Sequence, residues 1–413
     1  EGARSGRASG GTPEKPGFLR RSRKKCAIDD SKKVNADALP CPGQEVDKKN
    51  SEAYTCRAGG LHDMIQTEEK FPVNLEDIEA LAYKTLAQRG HPERCDGWTH
   101  RKGGAETGST WRRAKNIYES VGLKMRAINS LKYESLDITA KFAGQPISMP
   151  VSVAPMISGI NFVCDRPFEQ IAKAAGRMNV AAGIGYPSGP LVYGGMAACA
   201  KTFRIVKPLP DKETLIGELR RSIDAGCCAA GIDIDSIGGM KPVGDELRFA
   251  ELARPYGKDE LREIRDNVPG KFILKGVMSG EDALDAVDIG ADILIVSTHV
   301  GYALDYSLAP LEALPEIKAA AGGKAEIVVD SGITRGTDII KAAALGADSV
   351  LVGRLTLWGL LIDGAAGVEY MFRRLEAELR RAMILMGSPS LKALSSKNLV
   401  ALDEKGERLL RRK

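Results

Sequence analysis

Between Lys271 and Arg354 the chain passes through four short apolar stretches, each closing on polar residues: Lys271–Val277, Asp292–His299, Glu326–Gly332 and Ser349–Arg354. Between them, Gly280–Gly290 and Gly336–Gly346 carry Ala, Leu and Ile at helical spacing. Strand, helix, strand at this interval describes βαβ units, and continuous apolar runs suit a parallel sheet buried on both faces. The same pattern extends towards the N-terminus. It predicts eight strands, at 147–155, 180–185, 203–208, 228–235, 271–277, 292–298, 326–332 and 349–354. Helical patterns follow them at 167–179, 190–201, 211–226, 258–268, 280–290, 308–321, 336–346 and 367–386. An open doubly wound sheet also alternates, but eight evenly spaced units favour closure into an α/β fold, a (β/α)8 TIM barrel. The polar strand ends then gather on the active-site face of the barrel. The longest break, Ser236–Gly257, is rich in Gly and Pro and is expected to form a lid over that face.

The flanks read differently. Residues 1–51 hold Gly, Ser, Pro and Lys with no apolar period and are expected to be a disordered basic tail. Residues 52–146 form an N-terminal capping segment, 147–394 the barrel and 395–413 a C-terminal tail. Within the capping segment a helix is expected over Pro72–Arg89 with Asn74 as its cap, and a basic helix over Arg112–Val121. Lys132–Pro150 is expected to place a hairpin at the barrel's mouth or floor.

Composition narrows the class. The chain is 43% hydrophobic and 27% charged, as in ordinary globular proteins. No window approaches the ~20 apolar residues of a membrane span. The net charge of +5 belongs to the tail, where residues 1–25 set eight Lys or Arg against Glu1 and Glu14. Leu19–Lys25 reads as a solvated basic arm, and aromatic or motif support for nucleic-acid binding is absent. Cys26, Cys41 and Cys56 recur at even spacing, followed by Cys95, yet no Cys-x-x-Cys pair is present. No metal site and a cytoplasmic location are expected.

Three clusters carry chemistry. Asp330–Thr337 and Val352–Arg354 close consecutive strands with glycines, which let backbone N–H groups approach an anion. Arg354 adds a charge-assisted fork, so a phosphate site is expected there. His299 follows an apolar strand at its polar end, where an imidazole can take a proton near neutral pH. Asp235, in Gly231–Ser236, is its expected partner. Lys275 ends the fifth strand, either beside an electron-rich cofactor or in a structural ion pair.

Ile273–Val277, Val296–Gly301 with Leu304-Asp305, Asp330–Asp338, Val352–Arg354 and Ser388–Lys392 resemble the FMN-dependent α-hydroxy acid oxidases and dehydrogenases. The resemblance runs from about Gly103 to Leu394. It implies FMN as cofactor, a small-molecule substrate, a homo-oligomer (tetramer or octamer) and an electron acceptor the motifs leave unassigned. Ala154, Pro155 and Met156 would run along the flavin ring, Lys275 would face its N1 and O2 region, Asp330 would bind the ribityl chain, and Ser297 and Ser331 would be further contacts of the cofactor. Gly332, Arg335, Gly353 and Arg354 would grip the phosphate, while His299 removes a substrate proton with Asp235 behind it.

The departures lie where the family binds a carboxylate. Tyr302 stands where the family has a clamping Arg. The third-strand Tyr falls on Val206, and the flavin-contacting Gln on Arg204. His100 replaces an N-terminal Tyr, Ala182-Gly183 replace a Ser pair, and Thr334 replaces a phosphate-site Arg. Lys241 is the nearest counterpart of the lid Arg. Arg204 is expected either to re-grip an acidic group of the substrate, with Tyr302 adding a hydroxyl, or to contact the flavin. Two other readings stay open: non-redox FMN chemistry similar to the type II isopentenyl diphosphate isomerase, and a flavoprotein without catalysis. With the clamp gone, glycolate and L-lactate are expected to be poor substrates.

Overall fold

A computed structural model describes residues 71, 75–90, 104–156, 160–237 and 253–412, all within one compact unit, Leu61–Lys413. Eight parallel strands close a barrel, with the last of them in the chain paired to the first. Before it come α1 (Leu75–Gln88), α2 (Ser109–Asn116), β1 (Val121–Leu123) and the hairpin β2 (Ala140–Phe142) and β3 (Gln145–Ile147). The barrel follows as β4 (Val151–Met156), α3 (Pro167–Met178), β5 (Ala181–Ile184), α4 (Pro190–Cys199), β6 (Lys201–Val206), α5 (Lys212–Asp224), β7 (Ala229–Asp233) and α6 (Lys258–Asp266). It continues through β8 (Lys271–Lys275), α7 (Gly280–Ile289), β9 (Ile293–Val296), α8 (Pro310–Ala321), β10 (Glu326–Val329), α9 (Gly336–Ala344), β11 (Ser349–Val352) and α10 (Arg354–Met386). The chain ends in β12 (Leu399–Ala401), which pairs antiparallel with β1, and α11 (Glu404–Arg411).

All eight expected strands are present, because each is a short apolar run buried on both faces. Side chains that alternate inward, among them Ala154, Ala181, Phe203, Ile205, Ala229, Ile273, Ile295, Val328 and Leu351, form one core inside the barrel. Those turned outward pack beneath the helices in a second core. The hairpin seals the floor: buried Phe142 lies against Phe203 with ring centroids 4.5 Å apart. Several boundaries move. The helix expected over Arg112–Val121 spans Ser109–Asn116, and Val121 belongs to β1. The first barrel strand starts at Val151 because residues 145–147 belong to the hairpin. The final helix starts at Arg354 rather than 367 and bends at Asp363-Gly364, where Gly359 and Gly367 touch backbone to backbone. His100, Lys241, Asn74, the basic tail, Cys26, Cys41, Cys56, Cys95 and lid residues 238–252 lie outside the described residues.

The capping segment is fastened to the barrel through one carboxylate. Helix α2 has no side-chain cap of its own at Gly108. Asp305, from the loop after β9, supplies it by accepting from Thr107 N, Thr107 Oγ1 and Thr110 N at 2.6, 2.7 and 2.9 Å. Burial pushes this carboxyl up, but those donors outweigh it and hold it well below the usual carboxylate range. A carboxyl held low stabilises the fold above its unfolded pKa of ~4 and loses that contribution as pH falls through the folded value. Asp305→Ala should therefore cost about 1–2 kcal/mol at neutral pH in urea unfolding. The difference from the parent should shrink as the pH is lowered. Equal midpoints at pH 7 would show that the cap contributes nothing.

Candidate active site

Four barrel strands deliver polar side chains to one point at the mouth. Alternation on β7 turns Ala229 inward, and Asp233, four residues on, shares that face at the strand's end. Its Oδ2 accepts from Lys207 Nζ at 2.7 Å and Ser236 Oγ at 2.8 Å, and its Oδ1 accepts from Lys275 Nζ at 3.1 Å. His299 Nδ1 stands 3.2 Å from the same Oδ2 and 3.6 Å from Asp235 Oδ1. Burial alone would push Asp233 up, but Lys275, His299 and Lys207 hold it well below the usual range. Asp235 moves the other way, raised by burial and by the charge of Asp233. Burial likewise pulls the Lys275 ammonium down, and Asp233, Asp235 and Asp330 more than offset it, so Lys275 is raised and stays charged.

The backbone carrying His299 is strained. His299, Val300 and Ser331 have φ of 52°, 59° and 81°, values that cost most for a β-branched residue such as Val300. Hydrogen bonds hold the loop in place: His299 N donates to Ser297 Oγ and Val300 N to Ser331 Oγ, both at 3.1 Å. Gly301 fits directly against the backbone of Trp111, where a Cβ would collide.

Beside this cluster lies a cavity of about 440 Å³, within the usual range for cofactor pockets. Ala154, Pro155, Met156 and Leu351 give it an apolar wall, and Lys275, His299 and Tyr302 line it. Ser297 Oγ donates to Asp330 Oδ2 at 2.8 Å, with Lys275 Nζ 3.9 Å away. At the other end Ser331, Gly332, Gly353 and Arg354 line it, and α10 opens there with its N-terminus. The Arg354 guanidinium lies 4.9 Å from the centre of the Trp111 ring. An apolar wall, an ammonium, a carboxylate for hydroxyls, and a cation at a helix N-terminus are the donor set an FMN ring, ribityl chain and monophosphate require. The residues present fit that cofactor.

Two expected site residues are placed elsewhere. Arg204 is fully buried but faces the helix layer, because Phe203 and Ile205 take the inward positions of β6. Its guanidinium donates to the carbonyls of Gly185 and Ser188 and lies 4.0 Å from Glu218, so it does not face the cleft, and Arg204 does not line the cavity. Val206 likewise points outward. A one-residue shift in strand register exchanges the two faces. Arg335 turns to Glu378, with Nε and Nη2 at 3.2 and 2.8 Å, and does not line the cavity. The N-terminus of α9 is also occupied: Asp338 accepts from Thr334 N and Arg335 N, and Glu378 from Gly336 N. The helix dipole available to a phosphate is therefore that of α10.

Two residues of the cluster escaped sequence reasoning. Asp233 stands closer to His299 than Asp235 does, and the doublet Asp233-Ile-Asp235 held the signal: both share a face, and the first ends the strand. Lys207 was legible in the alternation Phe203, Ile205, Lys207, once the inward face was assigned to the odd positions.

Comparison with known proteins agrees with this geometry. The family model for FMN-dependent dehydrogenases matches residues 89–245 and 240–401. An L-lactate oxidase of a Nostoc species is 29% identical over 79% of this chain and 97% of its own length. An L-lactate dehydrogenase of Ectopseudomonas mendocina is 30% identical over 77% and 97%. Among solved structures, a mandelate oxidase aligns with a TM-score of 0.70 and 27% identity, covering 80% of this chain and 98% of its own.

The two arginines near the phosphate end separate experimentally. Arg354→Ala should weaken FMN binding to the apoprotein by about 1.5–3 kcal/mol, the scale of a hydrogen bond to a charged group. Arg335→Ala should leave it unchanged. Fluorescence titration of FMN decides, and the reverse ranking would return Arg335 to the phosphate.

Proposed function

Because the chain belongs to the FMN-dependent dehydrogenase family, we propose that it oxidises the CH–OH carbon of a 2-hydroxy acid, with His299 as the base. The observation that carries this reading is the His299–Asp233 pair, 3.2 Å apart at the wall of a cavity suited to FMN. When bound, FMN supplies the acceptor for the two electrons of the oxidation. Asp233, held ionised by two lysines, accepts from Nδ1–H and leaves Nε2 as the basic nitrogen. His299 takes one of the protons the oxidation releases, and Asp233 stabilises the imidazolium that results. Lys275, Ser297, Asp330, Gly353 and Arg354 are the residues assigned to hold the cofactor.

Substrate choice follows from what lines the cleft. By the sequence resemblance Tyr302 stands in for the family's clamping Arg, it lines the cavity, and a carboxylate without a bidentate partner is held less firmly. The relatives act on lactate or mandelate by their names. Here the proposed substrate is a 2-hydroxy acid larger than lactate, whose side chain adds contacts. We also take the enzyme to be a cytoplasmic homo-oligomer. Family resemblance and four free thiols among the described cysteines support this, and no described helix is long and apolar enough to cross a membrane.

Anaerobic mixing with glycolate, L-lactate, L-mandelate and longer aliphatic 2-hydroxy acids tests the proposal through loss of the yellow flavin absorbance. The larger acids should bleach the enzyme, and glycolate and L-lactate should turn over well below the ~10 per second of a typical enzyme. His299→Gln should keep its flavin and bleach roughly 10²- to 10⁴-fold more slowly. A panel in which no acid bleaches the wild type would overturn the reading.

A further inference from the structure

We propose that Lys207 grips the carboxylate of the substrate, the role the sequence offered to Arg204. This assignment rests on the hydroxy-acid reading above. Its first support is register. Phe203 and Ile205 point into the barrel, so Lys207 continues that face just past the end of β6, at the mouth. Its ammonium and His299 Nδ1 stand 2.7 and 3.2 Å from the same Asp233 oxygen, so these two are no more than 5.9 Å apart, and the basic Nε2 belongs to the same ring. In a 2-hydroxy acid the carboxylate is bonded to the carbon that reacts. An anion grip for such a substrate therefore has to stand within a few ångströms of the base.

The second support is the state of the other cations among the described residues. Lys275 is 3% exposed and is enclosed between Asp233 and Asp330. Arg354 lies at the phosphate end against Trp111. Arg204 and Arg335 are turned away from the cleft. The Lys207 side chain is 26% exposed, and its ammonium gives two of its three donors to Asp233 and Ser236. The third is left for an incoming oxygen. An ammonium is a point charge without the planar fork of a guanidinium, so the carboxylate is held at one point and the rest of the substrate must complete its orientation.

Binding of benzoylformate, an anionic 2-keto acid, and of its neutral amide to the FMN-loaded enzyme tests this, read from perturbation of the flavin spectrum without turnover. Lys207→Met should weaken benzoylformate about 10- to 100-fold, the loss of a hydrogen bond to a charged group. The amide should bind as before, and Lys207→Arg should restore most of the affinity for the acid. Lys207→Gln, which keeps a donor for Asp233 and drops the charge, is the second variant and should behave like Lys207→Met. Equal weakening of acid and amide would make Lys207 a positioning residue for Asp233, and unchanged benzoylformate binding would remove any role. Either result, in an enzyme still bleached by a hydroxy acid, overturns only the Lys207 assignment. A wild type that is neither bleached by the panel nor perturbed by benzoylformate overturns the hydroxy-acid reading and this assignment with it.

Discussion

One buried carboxylate, Asp233, organises the mouth of the barrel. Taking an ion out of water costs several kcal/mol, and only close partners of good geometry offset that. Here the partners come from the ends of β6 and β8 and from the loops after β7 and β9, so the ion that needs them also draws four walls of the barrel together. Its neighbour two residues on ends in the opposite condition. Asp235, buried beside a charge of its own sign and with the backbone of Gly276 pressed against it, is driven towards the neutral form. Two carboxylates in one cluster are thus shifted in opposite directions by their surroundings, the nearer one to the imidazole held low and its neighbour raised.

The loop that carries His299 shows where this arrangement is costly. Positive φ at two successive non-glycine residues is unfavourable, and it persists because hydroxyls, a neighbouring helix and Asp305 fix the segment from several sides. The capping segment is thereby part of the site. Helix α2 brings Trp111 to Arg354, and a side chain at Gly332 would strike the carbonyl of Ala114. The cofactor-facing loops rest on residues that precede the barrel in the chain.

Much of this was legible in the order of residues, for a physical reason. Strands that are buried on both faces must be apolar throughout, so β4 to β11 stood out as runs, and the polar residues ending them marked the mouth. His299, Lys275, Asp330 and Arg354 were found that way. Facing was harder to read, because a strand apolar on both sides carries no alternation to say which side is inward. Arg204 was assigned to the cleft for want of that signal, and Lys207 was passed over. Arg335 shows a second limit. A cation beside a glycine-rich turn looks like a phosphate ligand until Glu378, more than forty residues away, is seen to claim it. Partners brought together by the closure of the barrel are not written in local spacing.

The bend in α10 has a further consequence. Its first segment ends the phosphate side of the cavity, and the helix as a whole packs among α1, α3 and α9. With Gly359 and Gly367 in backbone contact across the bend, the two segments form a fixed elbow rather than a free joint. A dipole acts through its terminal turn, so the cavity draws nothing from the length beyond the elbow. The outer arm serves the scaffold instead, where Glu378 occupies the start of α9 and so leaves the inner arm as the one helix start, among the described residues, that faces the cavity.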